Sequence, residues 1–289
     1  MKRNLNIDDF ATRLSFFFNS HNNFFEEICK YRAARRIWAK RMKNKYGAKK
    51  VESMRLRFHT QTAGVSLTAQ EPENNIARVT LQALASVLGG TQSLHSNSFD
   101  EALCLPTEKA AKIALRTQQI IAHESGVTDT VDPLAGSYYV EWLTNKMEEE
   151  AEKYFQKIEE LGGVIPAIKA NFFQKEIANT SYKYQKEIEN RERTIVAVNQ
   201  YQQKEPCSIP LLSIDEEVAN EQIKKLEKLK EERNNDDVKK ALEKLKEAAK
   251  GSENLMPLII DAVRTYASIG EIINTLKEVF GIYHEDSIF

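Results

Sequence analysis

Residues 55–64, "RLRFHTQTAG", and residues 89–108, "GGTQSLHSNSFDEALCLPTE", decide how this chain is read. Each begins as a short strand candidate, 55–60 and 91–95, and runs into a crowd of Arg, His, Gln, Thr and Asn. Polar groups cost free energy when buried without partners, so such a crowd at a strand terminus points to a ligand site and not to a core.

Working outward, "RLSFFF" at 13–18 is an apolar run led by an Arg, short enough for a strand buried on both faces of a parallel sheet. A helix is predicted over 24–46, where Phe24, Ile28, Tyr31, Ala34, Trp38 and Met42 recur every three or four positions before Gly47. A second helix carries Ile76, Val79, Ala83, Leu84 and Val87 on one face and stops at Gly89 and Gly90. A third starts near Thr107 with Glu108 in its first turn. Strand and helix thus alternate three times with short connections, the pattern of parallel βαβ units with right-handed crossovers. Three strands cannot close a barrel and leave two open edges.

Beyond this α/β part, "VTDTVDPLAGSYYVE" (127–141) reads as a turn-rich crossing segment. Helices are expected at about 141–161 and 166–190, split by Gly162-Gly163, and "RTIVAVNQYQ" (193–202) as a short strand or extended arm. Composition shifts at "QQKEPCSIP" (202–210). Lys/Glu-rich helices follow over 215–250, with Val218, Ile223, Leu226 and Leu229 on one side and Val238, Leu242 and Leu245 on another; a final amphipathic helix ends at Gly281. The domain reading is 1–125, 126–205 and 206–289. No internal repeat is evident.

The 289 residues are 42% hydrophobic and 29% charged with a net charge of −1, so no global field points to nucleic acid or an anionic membrane. Residues 32–50 are basic, but they interleave with an apolar helix face and no nucleic-acid motif accompanies them. Cys29, Cys104 and Cys207 are far apart with no CxxC spacing, pointing to a reducing compartment and no structural zinc. The start lacks a signal peptide's apolar run and no stretch approaches a membrane span, so a cytoplasmic protein is expected.

The two opening blocks, together with "DDFATRLSFFFNSHNNFFEEICKYRAARRIWAK" (8–40), "VDPLAGSYYVE" (131–141) and "IVAVNQYQ" (195–202), resemble the methylmalonyl-CoA mutase large-subunit family. The resemblance runs from about Leu5 to Phe280 and is densest over 9–105. It implies the C-terminal part, about three strands, of a (β/α)8 TIM barrel followed by a mostly helical segment. It also implies an isomerase that uses adenosylcobalamin to rearrange the carbon skeleton of an acyl-CoA, methylmalonyl-CoA or another branched ester such as isobutyryl-CoA, by a radical mechanism.

Carried over by residue, Arg13, Ser15, Arg57, His59 and Gln92 match CoA-contacting positions, and Gln61, Gly64, Glu101 and Cys104 match cofactor-side positions. A guanidinium fork and a hydroxyl suit phosphate. Alternatives stay open: Arg13 paired with a helix carboxylate, His59 as a core histidine bonded to backbone, Gln92 and His95 in a packed polar network, Glu101 as a helix-start charge. Cys104 reads as a small hydrophobe, since no basic partner adjoins it.

The family's radical-partner histidine and its acyl-holding Tyr and Arg lie on earlier strands, and none of the five histidines sits in an Asp-x-His-x-x-Gly loop. No catalytic residue or metal ligand is therefore expected here. The expected partners are an acyl-CoA, the N-terminal half of the barrel and a separate cobalamin-binding subunit or domain, with the chain inactive alone. A non-catalytic scaffold or orphan barrel fragment is the alternative.

Overall fold

The computed structural model describes residues 5–203 and 209–284. Two compact units form, Met1–Leu212 and Ser213–Phe289. The boundary expected at 205/206 lies outside the described residues.

The first unit opens with α1 (Ile7–Phe10) and a 3-10 turn, Ala11–Arg13. Then come β1 (Phe16–Ser20), α2 (Phe24–Asn44), β2 (Phe58–Thr62), α3 (Asn74–Leu88), β3 (Ser93–His95) and α4 (Glu108–Glu124). The three strands pair in parallel in the order β1-β2-β3, as the alternation requires. Thr107 caps α4, its hydroxyl accepting the Ala110 N–H, in the place the sequence marks.

The expected boundaries shift in one direction. β1 spans 16–20 instead of 13–18, which leaves Arg13 in the preceding turn and Ser15 just ahead of the strand. β2 starts at Phe58, because Val51–Met54 make a 3-10 turn instead of leading straight into the strand.

The strands are not buried on both faces. Even-numbered residues of β1 and β2 pack inward: Phe16, Phe18 and Phe58 join Tyr31, Leu56, Ala34 and Trp38 in the core between sheet and α2. Odd-numbered residues face away, and Phe17 is 61% exposed. A parallel sheet needs layers on both faces, and this chain supplies one.

α5 (Tyr138–Glu160) lies alongside α2, joined to it by pairs that climb both helices together: Arg32 with Asp132 and Glu141, Arg36 and Lys40 with Glu148, Arg41 with Glu152, Lys45 with Glu159. The ascending order makes the two helices parallel. Five cations of the basic stretch at 32–50 thus pair with acids about a hundred residues away.

The helix expected at 166–190 is two, α6 (Val164–Lys169) and α7 (Phe172–Glu189). They are separated at Asn171, whose φ of 53° is left-handed. Residues 193–202 make neither a strand nor an extended arm. The chain doubles back with Ala197 N–H on the Gln200 carbonyl (2.8 Å) and one isolated bridge, Val196 to Gln200.

The second unit holds α8 (Glu216–Glu232), α9 (Asn235–Ala249), α10 (Leu255–Arg264) and α11 (Ile269–Phe280), the last ending at Gly281 as expected. Its core is Leu245, Ala262 and Ile272 with Leu242, Leu255, Leu258 and Leu276. α10 was not foreseen. α8 buries nothing, its apolar Val218, Ile223 and Leu226 being exposed along with its charges. Among the described residues no helix is long and apolar enough to cross a membrane.

Candidate functional site

The open face of the sheet organises the candidate residues. Strand register sets Phe17 beside His59 beside Ser93, and one step on, Asn19 beside Gln61 beside His95. Alternation carries the same face back to Ser15 and Arg57, which precede their strands and are exposed. From Arg57 to Gly64 this strip is about 20 Å long at roughly 3.3 Å per residue.

At the N-terminal end, Arg57 donates from Nη1 to the Thr12 carbonyl at 3.2 Å, and Arg13 is exposed beyond it. Gln92 is also at this end but spends its amide locally: Oε1 accepts the Phe58 N–H (2.8 Å) and Nε2 donates to the Gly90 carbonyl (2.7 Å). It extends the β2–β3 ladder by one rung.

Midway, His59 is half-buried, its Nδ1 2.6 Å from Ser93 Oγ and its ring 5.2 Å from that of Phe17. This is not a core histidine bonded to backbone; its partner is a hydroxyl on the next strand.

At the C-terminal ends the loops converge on a buried polar platform. Gln82 of α3 is fully buried and satisfied: Oε1 accepts the Ala63 N–H (3.0 Å), and Nε2 donates to Ser66 Oγ (2.6 Å) and to Asn22. Asn97 bridges β2 and the β3–α4 loop. Its backbone N–H donates to Thr62 Oγ1 (2.9 Å), Thr62 Oγ1 donates to its Oδ1 (2.6 Å), and its Nδ2 donates to Glu101. Glu101 also accepts the Ser98 N–H at 2.6 Å, so both carboxylate oxygens are held by the loop, ahead of α4 and not at its start. Asp100, fully buried, accepts from the Thr107 N–H and hydroxyl through one oxygen while the other has no partner. Cys104 is half-buried in the same turn. At the end of β1, burial pushes the His21 imidazole below its ordinary value, and its Nδ1 accepts the Asn22 N–H (2.8 Å).

Gly64 tests whether a bulky group fits here. It is exposed, its φ is not left-handed, and a Cβ would meet only Asn97 Nδ2 at an ordinary 3.4 Å. Among the described residues nothing within the chain demands glycine at this position. The adjoining groups are amides and a carboxylate, hydrogen-bond donors and acceptors. Among the described residues no group of His, Cys, Asp and Glu is placed to hold a metal ion.

The structure therefore gathers Ser15, Arg57, His59 and Gln61 on one strip, sets Gly64 and Glu101 at its far end, and leaves Arg13 and Gln92 at its near rim. Sequence reading missed Phe17, Asn19, Ser93, Thr62 and Asn97. The period of two along each strand was the signal that could have found the first three.

Residues 1–282 match the family described as methylmalonyl-CoA mutase. The chain belongs to that family. It is 45% identical over 290 residues to the 2-hydroxyisobutanoyl-CoA mutase large subunit of Aquincola tertiaricarbonis, covering 100% of this chain and 52% of that one. It is 45% identical to the methylmalonyl-CoA mutase of Rhizobium meliloti (strain 1021) over 98% of this chain and 40% of the relative. The Homo sapiens mitochondrial methylmalonyl-CoA mutase is 44% identical over 97% and 38%. The chain thus spans about half, or less, of the length of these family members.

Proposed function

We propose that this chain is part of a cytoplasmic, adenosylcobalamin-dependent acyl-CoA mutase, supplying the last three strands of a (β/α)8 barrel and the helices after it. Residues 1–125 are the barrel part, 126–205 the crossing segment and 206–289 the extension. The observation that carries this reading is the open strip. Polar residues in strand register line one face around Phe17, and among the described residues that face is left open, Phe17 being 61% exposed. In a barrel this face points to the axis, and active sites form at the C-terminal strand ends.

On this reading Arg13, Ser15, Arg57 and His59 bind the CoA ester along the strip, with Gln92 shaping its entrance. Gln61, Gly64, Glu101 and Cys104 meet the cofactor at the far end. When bound, adenosylcobalamin supplies the carbon-centred radical that skeletal rearrangement needs. The chain's own residues bind, orient and exclude water. The acyl-recognition groups and the lower axial ligand come from the remaining barrel and from a cobalamin-binding partner.

The test is reconstitution. This chain is combined with a polypeptide supplying the other barrel strands and with a cobalamin-binding partner, and assayed on methylmalonyl-, 2-hydroxyisobutanoyl- and isobutyryl-CoA. Turnover of at least one ester only when all three proteins are present, and its loss in His59→Ala, is the expected result. A complex that assembles but binds neither CoA nor cobalamin overturns the proposal.

A further inference from the structure

The loop at 193–200 touches the strand-end platform through one side chain. Arg78 of α3 donates from Nη2 to the Val196 carbonyl at 3.0 Å. Its Nη1 donates to Thr68 Oγ1 (2.9 Å) and to Asn75 Oδ1 (2.8 Å). Asn75 is fully buried and passes the connection on, its Nδ2 donating to the Phe99 carbonyl (2.9 Å) and to the Thr68 carbonyl (2.9 Å). Phe99 stands two residues before Glu101. A second contact fixes the same segment: the Tyr184 ring of α7 meets the His21 ring edge-on at 6.2 Å, directly after β1, and the Arg193 guanidinium lies 4.7 Å from the centre of the Tyr184 ring.

All of Arg78's acceptors are neutral, and among the described residues it forms no ion pair. Burial lowers its pKa, against the opposing pull of the Glu71 carboxylate. Its worth lies in the planar fork, which joins the first turn of its own helix and the loop before it to the Val196 carbonyl, 118 residues on. The loop it holds is itself tightly made. Asn199 Oδ1 accepts the Ile195 N–H (2.7 Å), its Nδ2 donates to the Ile188 (3.0 Å) and Arg193 (2.8 Å) carbonyls, and Ala197 sits at a left-handed φ of 67°.

We propose that Arg78 is a positioning residue that couples the 193–200 loop to the loop presenting Asn97 and Glu101, so that the strand-end site is ordered only while the post-barrel arm is latched. The importance of this for catalysis rests on the mutase reading above. The coupling is read by amide exchange and not by turnover, so either can fail without the other.

The experiment is hydrogen–deuterium exchange on the full chain, following 193–202, 97–104 and, as control, 24–44. The second segment is informative because the Asn97, Ser98, Glu101, Leu103 and Cys104 amides are all hydrogen-bonded. Two variants are used. Arg78→Lys keeps the charge but cannot fork to three acceptors. Ala197→Pro leaves Arg78 intact and is incompatible with the left-handed φ, so it opens the loop itself. Both should speed exchange at 193–202 and at 97–104 by about tenfold, the effect of losing one hydrogen bond to a charged group, with 24–44 unchanged. If Ala197→Pro frees 193–202 while 97–104 keeps its wild-type rate, the coupling is overturned. If exchange also rises across 24–44, the effect is general unfolding and the proposal fails as well.

Discussion

Gly64 and Gly89 look alike in the sequence, each closing a run of structure, yet packing within the chain accounts for glycine only at Gly89. At Gly89 a Cβ would drive into the buried Tyr31 ring, which stacks on Phe58 at 5.2 Å and donates its hydroxyl to the Asn19 carbonyl at 2.7 Å. The same burial pushes the Tyr31 phenol up to about 12. Gly89→Ala should therefore cost about 1–3 kcal/mol in urea unfolding, the usual range for overpacking. Gly64→Ala should leave stability unchanged or raise it by up to about 1 kcal/mol, because the backbone there suits any residue. In the reconstituted enzyme, by contrast, Gly64→Ala should weaken cobalamin binding about tenfold, the lower end of an overpacking penalty. Equilibrium dialysis of the two variants separates a glycine kept for the fold from one kept for a ligand. Sequence alone marks both positions and distinguishes neither, since the difference lies in what stands above each Cα.

At the scale of elements, the strand–helix alternation and the parallel order were legible because period and turn residues are local signals. What was not legible is long-range or weakly marked. α10 carries Pro257, a residue that breaks a helix interior, but in the first turn of a helix it removes no hydrogen bond. The break between α6 and α7 turns on one left-handed Asn, with neither Gly nor Pro to announce it. The docking of α5 on α2 depends on pairs more than a hundred residues apart. Those pairs differ in weight. The Arg32 side chain is only 11% exposed and serves Asp132, Glu141 and Thr144 together. Arg32→Ala should cost about 2–3 kcal/mol, because it strands two carboxylates and a hydroxyl. Lys45→Ala, at an exposed pair, should cost under about 0.5 kcal/mol. Thermal melts of the two variants check the contrast.

The ladder also sets a pH response. Glu141, Glu148 and Glu159 are held below their ordinary 4.5, Glu141 by the Arg32 guanidinium and Glu159 by Lys45; Glu148 is lowered by Lys40 and Arg36 despite its burial. Carboxylates lowered in the folded state stabilise it fully above 4.5 and surrender that stability as the pH falls toward their folded values. Protection against exchange over 138–160, relative to the intrinsic rate at each pH, should fall below pH 4.5, and with added salt, before that over β2 does.

For the molecule as a whole, the two units carry different kinds of stability. In Ser213–Phe289 the Arg233 side chain, 5% exposed, forks onto Glu271, which also accepts from the Ser268 hydroxyl in a capping box. The guanidinium holds the Glu271 carboxyl at about 2, so its contribution is complete above 4.5 and disappears only as the pH drops through about 2. Glu271→Gln should destabilise this unit by about 2 kcal/mol, seen as faster exchange over 235–280 with that over 16–62 unchanged. Met1–Leu212, with Phe17 exposed and both β1 and β3 at open edges, should self-associate when made without covering strands. Sedimentation velocity of the lone chain, and of the chain with the remaining barrel supplied, checks this: the large species should give way to a discrete complex.

The parallel ladder between α2 and α5 has a consequence in time. Synthesis at about 5–20 residues per second puts roughly 5–20 s between the emergence of a cation on α2 and that of the acid that neutralises it. Throughout that interval Arg32, Arg36, Lys40, Arg41 and Lys45 stand unpaired on a helix at the ribosome surface, facing a polyanion. This stretch therefore passes through a strongly cationic stage that the 289 residues together, with their net charge of −1, do not show.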